Sequence, residues 1–223
     1  MPLTIAMDGP VGAGKSTVAD EVARRLGILH LDTGAMYRAI GYGCLRDGVD
    51  VADEAAAEAY CHRVLIDVAY SERGQITCLN GDDVTAYLRS EPVSMAASTV
   101  AKYAGVRKCM VALQQKLASQ TDMLVDGRDI CLRVLPNATV KVFLTASAEE
   151  RAERRWKQLR LKGIDADYQQ VLDDLKKRDE QDMNREVDPL RPTDDATVVD
   201  TTGRTFEESV KMILKLVEEK QSK

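Results

Sequence analysis

The sequence has only two histidines and five cysteines among its 223 residues, and no two cysteines form a C-x-x-C pair. A zinc site with ordinary ligand spacing therefore cannot be assembled. The odd, scattered set of cysteines instead predicts reduced thiols, as in a cytoplasmic protein. The sequence also lacks an apolar run of roughly 18 residues, so we expect no membrane span. The N-terminus lacks the basic segment of a signal peptide.

An excess of positive charge is absent as well, since 31 Lys and Arg stand against 36 Asp and Glu. We therefore expect no nucleic-acid binding through general electrostatic attraction. Any anion site must be a local group of arginines. The sequence shows no long exposed apolar stripe that would pack against a partner, so we expect a monomer. The length allows one compact unit with an inserted subdomain.

Strand-like and helix-like patterns alternate along the chain, which predicts the α/β class. Short apolar runs predict strands at 3–7, 28–31, 123–125, 140–144 and 198–199. Periodic patterns between them predict helices at 15–26, 92–101, 105–119, 147–161, 168–184 and 205–219. Such alternation predicts a parallel five-stranded sheet flanked by helices. Residues 64–90 differ, because two strand patterns and the tight-turn pair Asn80-Gly81 predict a small β insertion there.

The turn after the first predicted strand matches the phosphate-loop pattern G-x-x-x-x-G-K-[ST]. Glycines let successive backbone N–H groups face one anion, and the following helix adds its positive end. Lys15 can reach the β- and γ-phosphates, and the Ser16 hydroxyl can ligate Mg²⁺. The predicted ATP-binding residues are Gly9, Pro10, Val11, Gly12, Ala13, Gly14, Lys15, Ser16 and Thr17.

Two arginine patterns follow, whereas the N-K-x-D segment of GTPases and the L-S-G-G-Q segment of ABC-type ATPases are missing. Arg151, Arg154 and Arg155 share one helix face. They either belong to a salt-bridged surface helix or close over ATP as a lid. Arg178, Asp182 and Arg185 also share a face. They either pair with each other or hold a nucleoside monophosphate.

The chain resembles the bacterial cytidylate kinases over nearly its whole length. Besides the phosphate loop, the motifs that carry the resemblance are Leu31-Asp32-Thr33-Gly34-Ala35-Met36-Tyr37-Arg38, Leu79 to Thr85, Ala96 to Ala101, Val106-Arg107, Asp126-Gly127-Arg128-Asp129-Ile130, Glu149 to Arg155, and Arg178-Asp179 with Asp182 and Asn184-Arg185. The D-[ST]-G-A-M-Y-R and D-G-R-D segments are far more specific than the phosphate loop.

The resemblance implies transfer of the γ-phosphoryl group of ATP to CMP or dCMP, with Mg²⁺. It implies that the acceptor nucleotide is bound by Thr33, Tyr37, Arg38, Ser98, Arg107, Arg128, Asp129, Arg178, Asp182 and Arg185. The catalytic charges would be those of Lys15, Arg128, Arg151, Arg154, Arg155 and Arg178. The implied regions are core at 1–31, acceptor binding at 32–110, core at 111–146, a helical lid at 147–167 and core at 168–223.

Some positions depart from the family pattern or stay ambiguous. Cys131-Leu132 stands where the family usually has Gly-Thr, and Glu91-Pro92 reverses the usual order. Asp126 can hold a metal-bound water or cap a loop, and Asp32 is expected to cap a helix rather than to bind a ligand directly. The alternatives to CMP kinase activity are another monophosphate specificity and an ATP-dependent switch.

Overall fold

The computed structural model of the protein describes residues 2–72 and 74–222. In chain order its elements are β1 (Thr4–Asp8), α1 (Lys15–Leu26), β2 (Leu29–Asp32), α2 (Thr33–Arg46), α3 (Glu54–Arg63), β3 (Ile66–Ser71), β4 (Gly74–Leu79), β5 (Asp82–Asp83), α4 (Glu91–Val100), α5 (Ala104–Ala118), β6 (Met123–Gly127), β7 (Val140–Thr145), α6 (Ala148–Leu161), α7 (Tyr168–Met183), β8 (Thr197–Asp200) and α8 (Phe206–Gln221). The chain divides into two compact units. The first comprises the chain up to Leu29 and again from Asp122 onward, and the second is His30–Thr121.

The larger sheet has five strands in the order β2–β6–β1–β7–β8, and all of them except β2 lie wholly in the first unit. β1 pairs in parallel with β6 and β7, and β7 pairs in parallel with β8. The central strands β1 and β6 are largely buried and apolar, and α1 and α8 pack against the sheet through residues such as Val22 and Ile213. The predicted α/β class, with a parallel five-stranded sheet flanked by helices, is confirmed.

Because β1 and β6 are parallel neighbours, the loops that follow them leave from the same edge of the sheet. Asp8 and Gly127, the last residues of these two strands, lie opposite each other in the register. Ligands of open α/β sheets bind outside the carboxyl ends of the strands. The fold therefore brings the phosphate loop next to the Arg128-Asp129 loop.

The second unit contains α2 to α5 and a separate antiparallel sheet in the order β3–β4–β5. This sheet confirms the predicted β insertion. Asn80 and Gly81 both have positive φ angles, 54° and 90°, and form the turn between β4 and the very short β5. Asn and Gly are the residues that adopt such angles readily, which explains why this turn was predictable.

Two short helical turns were not predicted: a 3₁₀ turn at Thr85–Tyr87 and a π-helical turn at Ile130–Val134. Both have too few residues for a periodic apolar pattern. The predicted lid boundaries at 147–167 stay a prediction, although α6 and the connection after it lie there. In the part of the chain that the structure describes, no helix is long and apolar enough to cross a membrane.

Candidate active site

The residues predicted to bind ATP lie in the loop between β1 and α1, up to Gly14, and in the first turn of α1, from Lys15 to Thr17. Gly9, Gly12 and Gly14 have φ angles of 150°, 76° and 88°, which favour glycine. A Cβ atom at Gly9 would lie 1.9 Å from the carbonyl oxygen of Leu144, so a side chain cannot be accommodated there. Gly14 caps α1 without a side chain, which leaves the backbone N–H groups of the first turn available to an anion.

Lys15 folds back onto this loop. Its Nζ atom donates hydrogen bonds to the carbonyl oxygens of Gly9 at 2.7 Å and Pro10 at 2.9 Å. Burial, together with the positive charge of Arg128, lowers the pKa of Lys15 to about 7. The ammonium group is thus held at the loop, where the phosphates of a nucleotide would restore its full charge.

Ser16 and Asp126 bring two oxygen ligands together. The Ser16 hydroxyl donates to Asp126 Oδ2 at 3.0 Å, and Asp126 is buried at the carboxyl side of β6. Mg²⁺ prefers oxygen ligands and is usually held by one or two protein groups together with nucleotide phosphates. The hydroxyl and the carboxylate therefore fit the predicted magnesium ion.

The arginines of α6 contact the phosphate loop itself. Arg151 is buried, and its guanidinium donates to the carbonyl oxygens of Val11 at 3.0 Å and Ala146 at 2.9 Å, and to Asp179 Oδ2 at 2.6 Å. Arg154 donates to Glu150 at 3.0 Å and to the carbonyl oxygens of Thr201 at 3.1 Å and Ala13 at 3.4 Å. These two arginines are held by the protein itself, and their predicted contact with ATP stays a prediction, as does that of the half-buried Arg155.

A second group of arginines surrounds Asp182. Arg128 Nε donates to Asp182 Oδ2 at 2.9 Å. Although burial alone would raise the pKa of Asp182, the charges of Arg128, Arg185 and Arg178 lower it below its ordinary value. Asp182 therefore pairs with an arginine from the loop after β6. The buried Asp129 follows directly on that loop. The structure thus groups Arg128, Arg178 and Arg185 around Asp182, and Asp129 lies next to Arg128 in the chain.

In the second unit, the motif at the start of α2 organises Arg38. Asp32 accepts a hydrogen bond from the backbone N–H of Ala35 at 2.9 Å, which confirms the predicted N-cap. Its other oxygen accepts from Arg38 Nη2 at 2.7 Å. The same carboxylate therefore caps the helix and orients a predicted phosphate ligand. Thr33 is buried and Tyr37 half-buried on this helix.

The predicted cytosine-reading residues of the second unit lie on two successive helices. Ser98 is half-buried on α4, and Arg107 is buried on α5, where Nη1 donates to the carbonyl oxygen of Ala101 at 3.4 Å. A buried arginine requires hydrogen-bond acceptors around it. The roles of Ser98 and Arg107 toward a base stay predictions.

Sequence reasoning missed three acidic residues that shape the site. Asp8 accepts two backbone hydrogen bonds from Ile130 and Cys131, Asp179 pairs with Arg151, and Asp188 pairs with Arg133. A charged residue at the end of an apolar strand could have drawn attention to Asp8. No local signal marks Asp188, because its partner is far away in the sequence.

A phosphate-binding loop between a parallel strand and a helix, with arginines grouped around it, defines the P-loop kinase class. Consistent with this class, the fold resembles that of a gluconokinase from Sinorhizobium meliloti, with a TM-score of 0.50 and 17% identity over 98% of this chain and 93% of that one. Similarity at this level of identity supports the fold alone.

Sequence comparison then gives the family. The model of the cytidylate kinase family matches residues 5–219. A cytidylate kinase of Caldicellulosiruptor bescii is 47% identical over 214 residues, which are 96% of this chain and 95% of the relative. One of Bacillus licheniformis is 47% identical over 222 residues, 99% of this chain and 98% of the relative. The chain belongs to the cytidylate kinase family, as its motifs predicted.

Proposed function

We propose that this protein transfers the γ-phosphoryl group of ATP to CMP or dCMP and releases ADP and CDP or dCDP. The observation that carries the proposal is the adjacency, in a member of this family, of a phosphate loop and the arginine group around Asp182. The first supplies a site for the donor, and the second supplies positive charge for an acceptor that is itself a phosphate. The place of the reaction is pyrimidine nucleotide metabolism.

The chemistry requires no general base. A phosphate monoester has its second pKa near 6, so the acceptor oxygen of CMP is largely ionised at neutral pH. That oxygen attacks the γ-phosphorus of ATP in line, and the bond from this phosphorus to the β–γ bridging oxygen breaks. The obstacle is repulsion between two polyanions, which the lysine and arginine charges offset.

Each group of residues has a role in this proposal. The loop from Gly9 to Thr17 binds the ATP phosphates, and Lys15 contacts the transferred group. Arg128 and Arg178 bind the phosphate of CMP, while Asp182 and Arg185 contact its sugar and Asp129 its base. In the second unit, Thr33, Tyr37 and Arg38 bind phosphate, and Ser98 and Arg107 read the base. Supporting this assignment, Arg38 and Arg128 are each held by an aspartate. We propose that Arg151, Arg154 and Arg155 close over ATP.

Mg²⁺ belongs to the same proposal, with Ser16 as its ligand and Asp126 beside it. When bound, the ion neutralises charge on the donor phosphates. We also propose a cytoplasmic location and a monomeric state. All five cysteines, each within the described residues, are free thiols, the state that a reducing compartment maintains.

An ADP-release assay with CMP, dCMP, UMP, AMP, dTMP and water as separate acceptors tests the activity. We expect turnover with CMP and dCMP and little with the others, because unpaired polar groups in the base site reject a mismatched base. The Lys15→Ala variant should retain its fold and lose about 10²–10³-fold in kcat. ADP release with water alone would favour a switch, and release with another monophosphate would change the assigned substrate.

A further inference from the structure

Asp8 is a buried carboxylate at the junction of two loops. It is the last residue of β1, directly before Gly9, and only 2% of it is exposed. Its two oxygens accept separate backbone hydrogen bonds, Oδ1 from Ile130 N–H at 2.8 Å and Oδ2 from Cys131 N–H at 2.9 Å. Neither the ATP-binding nor the CMP-binding residues proposed above include it.

The two amides that Asp8 binds begin the π-helical turn at Ile130–Val134. The first N–H groups of a helical turn have no partner within it and need an acceptor from elsewhere. Arg128 and Asp129 directly precede this turn, so its start fixes where their backbone leaves the sheet. Asp8 thus connects the start of the phosphate loop, called the donor loop here because it would bind ATP, to the end of the Arg128-Asp129 loop, called the acceptor loop because it would bind CMP.

The backbone on the phosphate-loop side of Asp8 has little room to move. The missing side chain of Gly9 lets its Cα approach the backbone of Leu144, so the chain is already in close contact immediately after Asp8. The pairing of β1 with β6, in which Asp8 lies opposite Gly127, fixes the position of Asp8 relative to β6. A change at the Asp8 carboxylate should therefore shift the turn that begins at Ile130, and with it the Arg128-Asp129 loop, rather than the phosphate loop.

We infer that Asp8 is a positioning residue for phosphoryl transfer, which holds the acceptor loop at a fixed distance from the donor loop. The inference rests on the proposed function, because Arg128 and Asp129 matter here as ligands of CMP. In-line transfer depends strongly on distance, and a misplacement of about 1 Å can cost about 10²-fold in rate. The Asp8 carboxylate supplies that constraint through the two backbone N–H groups that it binds, and it does so without contacting the substrate.

The same geometry explains why Cys131 is accommodated at a position where the family usually has glycine. Its Sγ atom lies 3.7 Å from the carbonyl oxygen of Ala6 and 3.8 Å from that of Val142, within the sheet. The loop uses the N–H of residue 131, which every residue type except proline provides. The thiol lies among the strands and also contacts the Asp8 carboxylate.

Asp8→Asn is the informative substitution. Its size is unchanged, but one oxygen becomes an NH₂ group that faces a backbone N–H, so one of the two hydrogen bonds becomes a contact between donors. We expect kcat/KM for CMP to fall about 100-fold, while the KM for ATP changes less than twofold. Leu132→Ala, at an exposed position of the same turn, is the matched control and should leave kcat and both KM values within twofold. Val210→Ala, in the core at α8, controls for lost stability alone.

Three results would overturn the inference: Asp8→Asn with normal CMP kinetics, Leu132→Ala with the same defect, or Val210→Ala with the same selective loss toward CMP. If Asp8→Asn does not fold, amide hydrogen exchange of the unmodified protein decides. Protection of the Ile130 and Cys131 amides comparable to that of β1 supports the constraint, and exchange as fast as in exposed loops refutes it. Acceptor turnover by the unmodified protein tests the proposed function separately, and the variants are then assayed with whichever acceptor it uses.

Discussion

Two groups of arginines in the first unit are held in different ways. The α6 arginines, Arg151 and Arg154, donate largely to backbone carbonyl oxygens, including those of Val11 and Ala13 in the phosphate loop. The Asp182 cluster, in contrast, gathers Arg128, Arg178 and Arg185 around one carboxylate. The α6 arginines therefore attach α6 to the phosphate loop itself, whereas the arginines of the Asp182 cluster are gathered by a carboxylate of α7.

The same difference separates the roles that we propose for the two groups. The Asp182 cluster gathers guanidinium groups from the loop after β6, from α7 and from the residues that follow it. A nucleoside monophosphate brings about 1.5–2 negative charges at neutral pH, and arginines are suited to bind such a phosphate. We propose that the Asp182 cluster binds this anion, while Arg151 and Arg154 also hold the shape of the phosphate loop.

Arg151→Met should have the largest effect, on the free energy of unfolding, and it tests whether the α6 arginines differ from the Asp182 cluster. Removal of the guanidinium leaves Asp179 as a buried carboxylate without its ion-pair partner. Breaking a buried pair in this way costs about 3–5 kcal/mol of the free energy of unfolding. Urea denaturation measures it, and the double variant Arg151→Met/Asp179→Leu should recover much of the loss. An Arg151→Met protein as stable as the unmodified one would contradict this structural role and leave only the proposed action of Arg151 on ATP.

Arg178→Ala should lower kcat/KM for CMP but leave the stability of the protein nearly unchanged. A charge-assisted hydrogen bond to phosphate contributes about 1.5–3 kcal/mol, so we expect a loss of about 10–150-fold in kcat/KM for CMP. The free energy of unfolding should change little, because relief of repulsion within the Asp182 cluster offsets lost contacts. Arg178→Lys, which keeps the charge but not the planar fork, should recover part of the loss. Equal damage to ATP and CMP binding would contradict the distinction between the two groups.

The difference between the two groups also explains what the sequence could and could not predict. The phosphate loop, the strands on either side and the Asp32 cap follow from local patterns, because each is decided by residues within a few positions. The spacing of Arg151, Arg154 and Arg155 placed them on one face, but their contacts depend on the distant Val11, Asp179 and Thr201. Likewise, Asp182 pairs with Arg128 from another element. Local spacing left open whether Arg178, Asp182 and Arg185 pair with each other or hold a nucleoside monophosphate, and it gave no sign of Arg128.

Lys15 offers a smaller effect that depends on pH. In the free protein its pKa of about 7 leaves about half of the amines neutral at pH 7. Bound phosphates favour the ammonium form, so ATP binding should take up a proton, and apparent affinity should fall up to about tenfold per pH unit above 7. Calorimetry in buffers of different ionisation enthalpy measures the uptake. Lys15→Ala serves as the control, and identical proton uptake by that variant would assign the proton to ATP itself.

The smallest expected effect, on the KM for CMP, concerns the loop after α7, which orients the Arg185 side chain. Asp188 has a left-handed φ of 51°, its carboxylate pairs with Arg133, and its carbonyl oxygen accepts from Arg185 Nη2 at 2.8 Å. Because 56% of the Arg133 side chain is exposed, the pair contributes at most about 1 kcal/mol, which corresponds to about fivefold. Arg133→Ala should therefore raise the KM for CMP by up to about fivefold and leave that for ATP unchanged.

Asp188→Asn completes this test as a double-mutant cycle, since asparagine tolerates a positive φ and only the charge is lost. If the pair acts on CMP through Arg185, the two single changes raise the KM equally and the double variant adds nothing further. Additive increases would mean that Arg133 and Asp188 act independently. The Asp182 cluster would then be oriented by Arg128 and Asp182 alone, without help from the loop that follows α7.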